Sequence, residues 1–422
     1  MKQTERLVTV TTFPVLLSNM QRIFIIVASI IFLLGIGVGV YFLFLSNDAE
    51  LTGREGVEFG SAGDAPLNQD GPGVVDGPIQ AGEEFADGLL RITEGPVALG
   101  MLAYTLPSQA ETASGTPAVP GDTEIRYIDR ASGNIYAYRA HERTLSRISN
   151  RTLPGIQEAA WLSDGSLAFA RFLAVAEGDT EYVATYALPS VGEGGYFLDR
   201  GLGQVSISGT STLFTLLPST SGSVATVARP DGSEARTLFS STLSNLIVHL
   251  SDGPFIAATK PSVNLDGYAF TVGAGGVFTR ILGPYRGLSV LPSPSGNLVL
   301  FSYIDNKSVK LALLDRRDGD VTALPIATFA EKCVWESGET HFFCGVPQSA
   351  SGNLPDDWHQ GAVVFKDRLW RVNVSARLAE YLINPSTASG IDIDMIGLSI
   401  DPRSDVLVFK NRTDGSLWMY DI

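Results

Sequence analysis

Cysteine, histidine and cationic side chains are all scarce in this sequence. Two cysteines and four histidines stand among 422 residues. Two cysteines are too few for a disulfide framework or a zinc ribbon. No two of His141, His249, His341 and His359 are spaced as metal ligands on one element. Lys and Arg number 30 against 45 Asp and Glu, for a formal net charge of −15. Nucleic-acid binding needs clustered Lys and Arg, so that class is excluded. There is no GxSxG elbow and no Walker loop. The run Gly273, Gly275, Gly276 reads as a hairpin turn, because no helix follows it. No catalytic residue, metal or cofactor is therefore expected.

One long apolar run is present. Residues 23–45 contain no charge. A helix rises about 1.5 Å per residue and the hydrocarbon core is about 30 Å thick, so this segment is expected to span a membrane. A cleaved signal peptide has a shorter apolar stretch and a small-residue exit. This one closes on Phe42, Leu43, Phe44 and Leu45, which reads as an uncleaved anchor. Residues 1–22 carry Lys2, Arg6 and Arg22 against Glu5, and the acids cluster on the other side. The positive flank stays inside. The expectation is a single-pass protein of the cell membrane, with a cytoplasmic N-terminus and everything after the span extracytoplasmic. Gly35 and Gly39 form a GxxxG pair that can let two anchors pack together.

Residues 46–88 are rich in Gly, Asp, Glu and Pro and poor in large apolar side chains. Such a stretch buries too little surface to offset its ordering entropy, so it reads as a flexible acidic linker.

From residue 89 to 422 the sequence repeats with a period of about 42–45 residues, the length of a propeller blade. Each unit opens with an apolar strand, a turn and a second apolar strand, as in residues 159–172, 206–217, 247–258, 289–303, 333–344 and 398–410. A second hairpin with period-2 alternation follows, as in 222–240 and 308–325. Four antiparallel strands make one blade. Counting a first unit from Pro96 gives seven. The seventh has only three strands before Ile422. The fourth is expected from residues 89–93, pairing beside 415–422 and hiding two open edges. The fold class is thus all-β, a seven-bladed propeller of four-stranded blades behind one membrane helix and a linker.

The repeats resemble the WD-like propeller repeats of the TolB periplasmic family. The residues that carry the likeness are the SDG, PSPSG and DPRS turns, the LAF, LVLF and VLVF strands after them, and the DGSLWMYD ending. The resemblance implies a propeller, and it says little of function, since propellers host both enzymes and binders.

Cys333 and Cys344 flank a hairpin whose register sets them opposite each other. They read either as a disulfide, which an extracytoplasmic compartment permits, or as two buried free thiols. Asp392 and Asp394 are expected on one face of a strand, too few to hold calcium. Glu158, His249, Arg286, Lys332, Asp392 and Asp394 are the candidates for the channel lining. The insertion at residues 346–361 is the candidate ligand loop, with Asp356, Asp357, Trp358 and His359 at its tip. Trp358 there is either an aromatic anchor for a ligand or a residue packed down on its own blade. The expected function is protein or glycan binding, or scaffolding, in the cell envelope, with an envelope protein or glycan as partner. The alternative is a hydrolase or lyase acting on envelope glycan or peptide.

Overall fold

The turns are built by the residue types that recur in the repeats. In residues 163–166, Gly165 takes φ +70°. Asp164 Oδ1 accepts hydrogen bonds from the Ser166 amide at 2.9 Å and hydroxyl at 2.7 Å. Asp414 and Ser416 make the same pair of bonds around Gly415, φ +78°. A short Asp side chain satisfies the turn backbone, and glycine supplies the positive φ at no steric cost. The strands between these turns alternate, so each presents one apolar row to either neighbouring blade.

The computed structural model describes residues 79–107, 121–176, 180–192 and 194–422. Seven antiparallel sheets form the blades. Their inner strands are Leu102–Thr105, Ile156–Trp161, Gln204–Ser208, Leu246–His249, Ser289–Pro292, Cys333–Trp335 and Met395–Ile400. These surround the central channel. One face, called upper here, carries the connections between blades and the loops joining second to third strands. The segment 1–22 expected to be cytoplasmic, the predicted membrane helix 23–45 with Gly35 and Gly39, and most of the acidic linker lie outside the described residues. Among the described residues, no helix is long and apolar enough to cross a membrane.

The ring closes as the repeat count requires. Leu89–Arg91 is the outer strand of blade seven, pairing Leu89 with Tyr420, Leu90 with Met419 and Arg91 with Trp418. Strand pairing involves residues before 89, however. Ile79–Gln80 adds a fifth strand to blade one beside Thr144–Arg147, and Glu83–Glu84 adds a fifth to blade seven. The acids read as linker here find cations: Glu83 meets Arg91 at 2.5 Å, and Glu84 grips Arg143. Buried Asp401 in the first turn of blade seven accepts from Thr123 Oγ1 of blade one at 3.2 Å and from the Val406 amide at 2.8 Å. Lys410, also buried at this seam, donates to the Val97 carbonyl at 2.6 Å, and burial pushes its pKa down to about 8.

The seams between blades are largely apolar, with single polar side chains crossing them, and they differ. At the seam of blades two and three, Phe169, Ala187, Leu202, Val205 and Leu213 pack together, and Arg171 in the same row donates to the Leu202 carbonyl at 2.7 Å. Higher up, the same two facing rows continue as Leu173 and Val175 on one wall and Leu217 on the other. These side chains remain 57%, 57% and 39% exposed, so the seam splays open toward the upper face. At the seam of blades six and seven, Leu89, Phe343, Leu369, Met395, Leu407, Phe409 and Trp418 pack without exposure. A cluster of charges caps that seam from above.

Candidate functional site

The insertion of blade six leaves the strand His341–Pro347 and returns at Asp367–Asn373. It stands on the upper face, as its place between second and third strands dictates. It does not project into solvent. Leu354, Trp358 and Phe365 bury themselves with Phe329 and Val309, and Trp358 stacks on Phe329 at 5.3 Å and on Phe365 at 6.0 Å. Asp356, at the start of the short helix Asp356–His359, reaches blade four: Ser262 Oγ donates to it at 2.9 Å and the Val263 amide at 2.7 Å. The insertion is therefore a strap over the upper ends of blades six, five and four.

Trp358 is consequently not a free anchor for a ligand. It is 3% exposed, and its Nε1 donates to Asp394 Oδ2 at 2.9 Å. Stacking three aromatic rings under the strap buries more apolar area than leaving one indole in water. Asp357 accepts from the Asn353 amide at 2.7 Å and holds the turn into the helix. Of the four tip residues, His359 keeps an outward ring edge; its Nε2 lies 2.8 Å from Glu331 Oε1.

Beneath the strap sits a node of three ionic side chains with no exposure. Lys332 Nζ lies 2.5 Å from Asp394 Oδ1 and 2.8 Å from Asp367 Oδ2, and it also donates to the Met395 carbonyl at 2.9 Å. Asp394 Oδ2 accepts from Trp358 and from the Phe365 amide at 3.1 Å. Asp367 Oδ2 accepts from the Met395 amide at 2.7 Å, while Asp367 Oδ1 has no partner. Burial is the main force on Asp367 and lifts its pKa to about 6; Lys332 opposes that shift and Asp394 adds to it. A lone ammonium serving two buried carboxylates accounts for the imbalance.

The other channel candidates scatter. Glu158 is on the inner strand of blade two, where Arg171 Nη1 meets it at 2.6 Å. His249 ends the inner strand of blade four; enclosure pushes its imidazole pKa down to about 4, with Glu331 pulling weakly the other way. Arg286 is not in the channel: it ends the outer strand of blade four on the rim, 3.9 Å from Asp266. Asp392 and Asp394 do not share a strand face. They precede the strand Met395–Ile400 in an irregular segment that turns Asp394 inward and Asp392 outward to Lys366 at 2.5 Å. The structure thus brings together Lys332 and Asp394 alone from that set.

Cys333 and Cys344 are paired in register and joined by an S–S bond inside blade six. Sequence reasoning missed Glu331, Asp367 and Arg412. Arg412 of blade seven lies 4.8 Å from the Trp358 ring and donates to the His359 carbonyl at 3.2 Å. The available signal was position: Glu331 adjoins Lys332 just before an inner strand, and Asp367 opens the strand after the insertion.

No family model matches the chain, and no curated protein matches it by sequence. Solved structures do match. An oligogalacturonate lyase from Vibrio parahaemolyticus is 12% identical, with a TM-score of 0.51 over 81% of this chain and 97% of that one. A second, an oligogalacturonate lyase in complex with manganese, is 11% identical, with a TM-score of 0.50 over 82% and 96%. TolB from Acinetobacter baumannii is 13% identical and aligns more loosely, with a TM-score of 0.41 over 67% and 63%. The likeness is one of fold. Among the described residues, no three His, Cys, Asp or Glu converge as metal ligands. His141 faces Asp122 and His341 faces Glu336, both away from the strap.

Proposed function

We propose that this chain is a membrane-tethered, extracytoplasmic binding or scaffold module of the cell envelope, taking a protein or glycan on its upper face. The observation that carries this reading is the fate of the charged side chains. Lys332, Asp367 and Asp394 hold one another out of reach of solvent, and Glu158 pairs with Arg171. Glu331 with His359, next to Arg412, is accessible at the channel mouth. Such a polar, rigidly backed surface suits recognition. The tether follows from the charge-free run at 23–45 and the basic flank before it.

In-cell photo-crosslinking of the full-length protein tests it. A crosslinker at Gln360, exposed on the strap, is expected to capture one specific envelope component. The same group at Asp318, exposed on the opposite face, is expected to capture none. Equal capture from both positions would remove the upper face from the proposal.

A second reading is favoured by one contact. The Glu331–His359 pair, 2.8 Å apart, is a carboxylate-oriented imidazole of the kind that can act as a general base. The two lyases named above share the fold. A glycan lyase would cleave uronate oligosaccharides with a rise in ultraviolet absorbance from the unsaturated product. The binding reading expects no turnover. Turnover that His359→Ala abolishes would replace it with the lyase reading.

A further inference from the structure

The strap is fastened at both ends by groups of different kinds. At its far end Asp356 holds two donors of blade four. At its near end Trp358 Nε1 and the Phe365 amide both bond Asp394 Oδ2. Asp394 in turn depends on Lys332, whose Nζ also lies 4.9 Å from the Trp358 ring and 5.5 Å from the Phe365 ring. Asp367 is the third member, and it is the residue at which the strap rejoins the blade.

The charge count in this node is uneven. Every titratable group facing it has a defined partner. Lys366 is held by Asp392, Glu331 by His359, and Arg412 packs on the Trp358 ring. Asp356 and Asp357 spend their acceptors on backbone and hydroxyl donors. Lys332 alone must balance both Asp367 and Asp394 with no water-exposed surface on any of the three. Asp367 Oδ1, buried and without a donor, is where the surplus lies. A proton placed on Oδ1 neutralises Asp367 and breaks neither bond of Oδ2. It leaves a one-to-one ion pair, which is much less costly to bury than two carboxylates on one ammonium.

We propose that residues 348–366 form a proton-locked strap: Asp367 protonated holds it closed over the upper mouth of the channel, and Asp367 ionised lets it lift. Lifting frees Trp358 and Phe365 from Asp394 and separates His359 from Glu331, which remodels the mouth. The proposal does not depend on which ligand that face takes.

The sign follows from the direction of the shift. Asp367 holds its proton more tightly in the closed strap than in water, with a pKa of about 6 against the ordinary carboxylate value of about 3.9. The closed strap is therefore most stable at low pH and loses that stability as pH rises through about 6. Between pH 5 and 7.5 the opening constant should increase on the order of tenfold.

Hydrogen exchange of the strap amides in the full-length protein measures this, after correction for intrinsic base catalysis. The wild type is expected to lose protection with a midpoint near pH 6. Asp367→Asn is expected to remove the midpoint, while Asp392→Asn, at the exposed neighbour, keeps it. Trp358→Phe keeps the stack and loses the bond to Asp394, so it should raise opening at every pH with the midpoint in place. That variant decides the matter if Asp367→Asn does not fold. Protection that is independent of pH in the wild type, or a midpoint that moves with Asp392→Asn, overturns the proposal.

Discussion

Two seams of the same ring solve the same packing problem in opposite ways. Between blades two and three the contact is mostly apolar: Phe169, Leu202, Val205 and Leu213 pack together, a single Arg171 reaches across to the Leu202 and Gly203 carbonyls, and Leu173, Val175 and Leu217 stay exposed toward the upper rim. Between blades six and seven an equally apolar lower part is topped by Lys332, Asp367 and Asp394, with a strap drawn across. The first seam can open at its rim, above Arg171, without stranding a buried charge. The second cannot, because each charge depends on the others for its partner. Apolar contact is tolerant and non-directional, whereas a buried ionic cluster demands one geometry and is strongly destabilised when a member is lost.

The largest effect that would sharpen this contrast is the loss of Lys332. Lys332→Met leaves two carboxylates without a counter-charge and should cost about 3–5 kcal/mol, read as a shifted denaturation midpoint at neutral pH. A shift under about 1 kcal/mol would mean the node is no more specific than the apolar seam. Leu213→Ala in the other seam removes a buried side chain and should cost about 2–3 kcal/mol, low in the usual range because the open rim above lets its neighbours settle. Leu173→Ser, at the rim itself, should change stability by less than about 0.5 kcal/mol in the same assay. A cost as large as that of Leu213→Ala would show that the splayed rim is closed in solution, and the contrast would fail.

Much of the ring was legible in the sequence, for local reasons. Strand alternation and Asp-Gly turns recur at blade spacing, so counting them yields seven units and exposes the missing strand at Leu89–Arg91. The opposed cysteines follow from hairpin register. The site was less legible, because its geometry is set between blades. Nothing near Asp356 in the sequence signals that it will bond Ser262 and Val263, almost a hundred positions away. Trp358 beside two acids looks like a surface residue until Phe329 and Phe365 are brought under it. Lys332 is of a type that composition assigns to the surface, and only Asp367 and Asp394 together explain its burial. Arg286 was misplaced for the converse reason: a strand-end position looks the same in an inner and an outer strand until the sheet order is known.

The closing strand has a consequence for how the protein is made. Thr93 and Leu417 are hydrogen-bonded neighbours across 324 positions of sequence. Blades one to six can each form as their own residues emerge, since their contacts are between adjacent hairpins. Blade seven has no outer edge partner until Leu417–Asp421 has been synthesised and found Leu89–Arg91. Through most of translation the early strand must therefore wait with only Glu83–Glu84 beside it, and ring formation is a late event with a large loop to close.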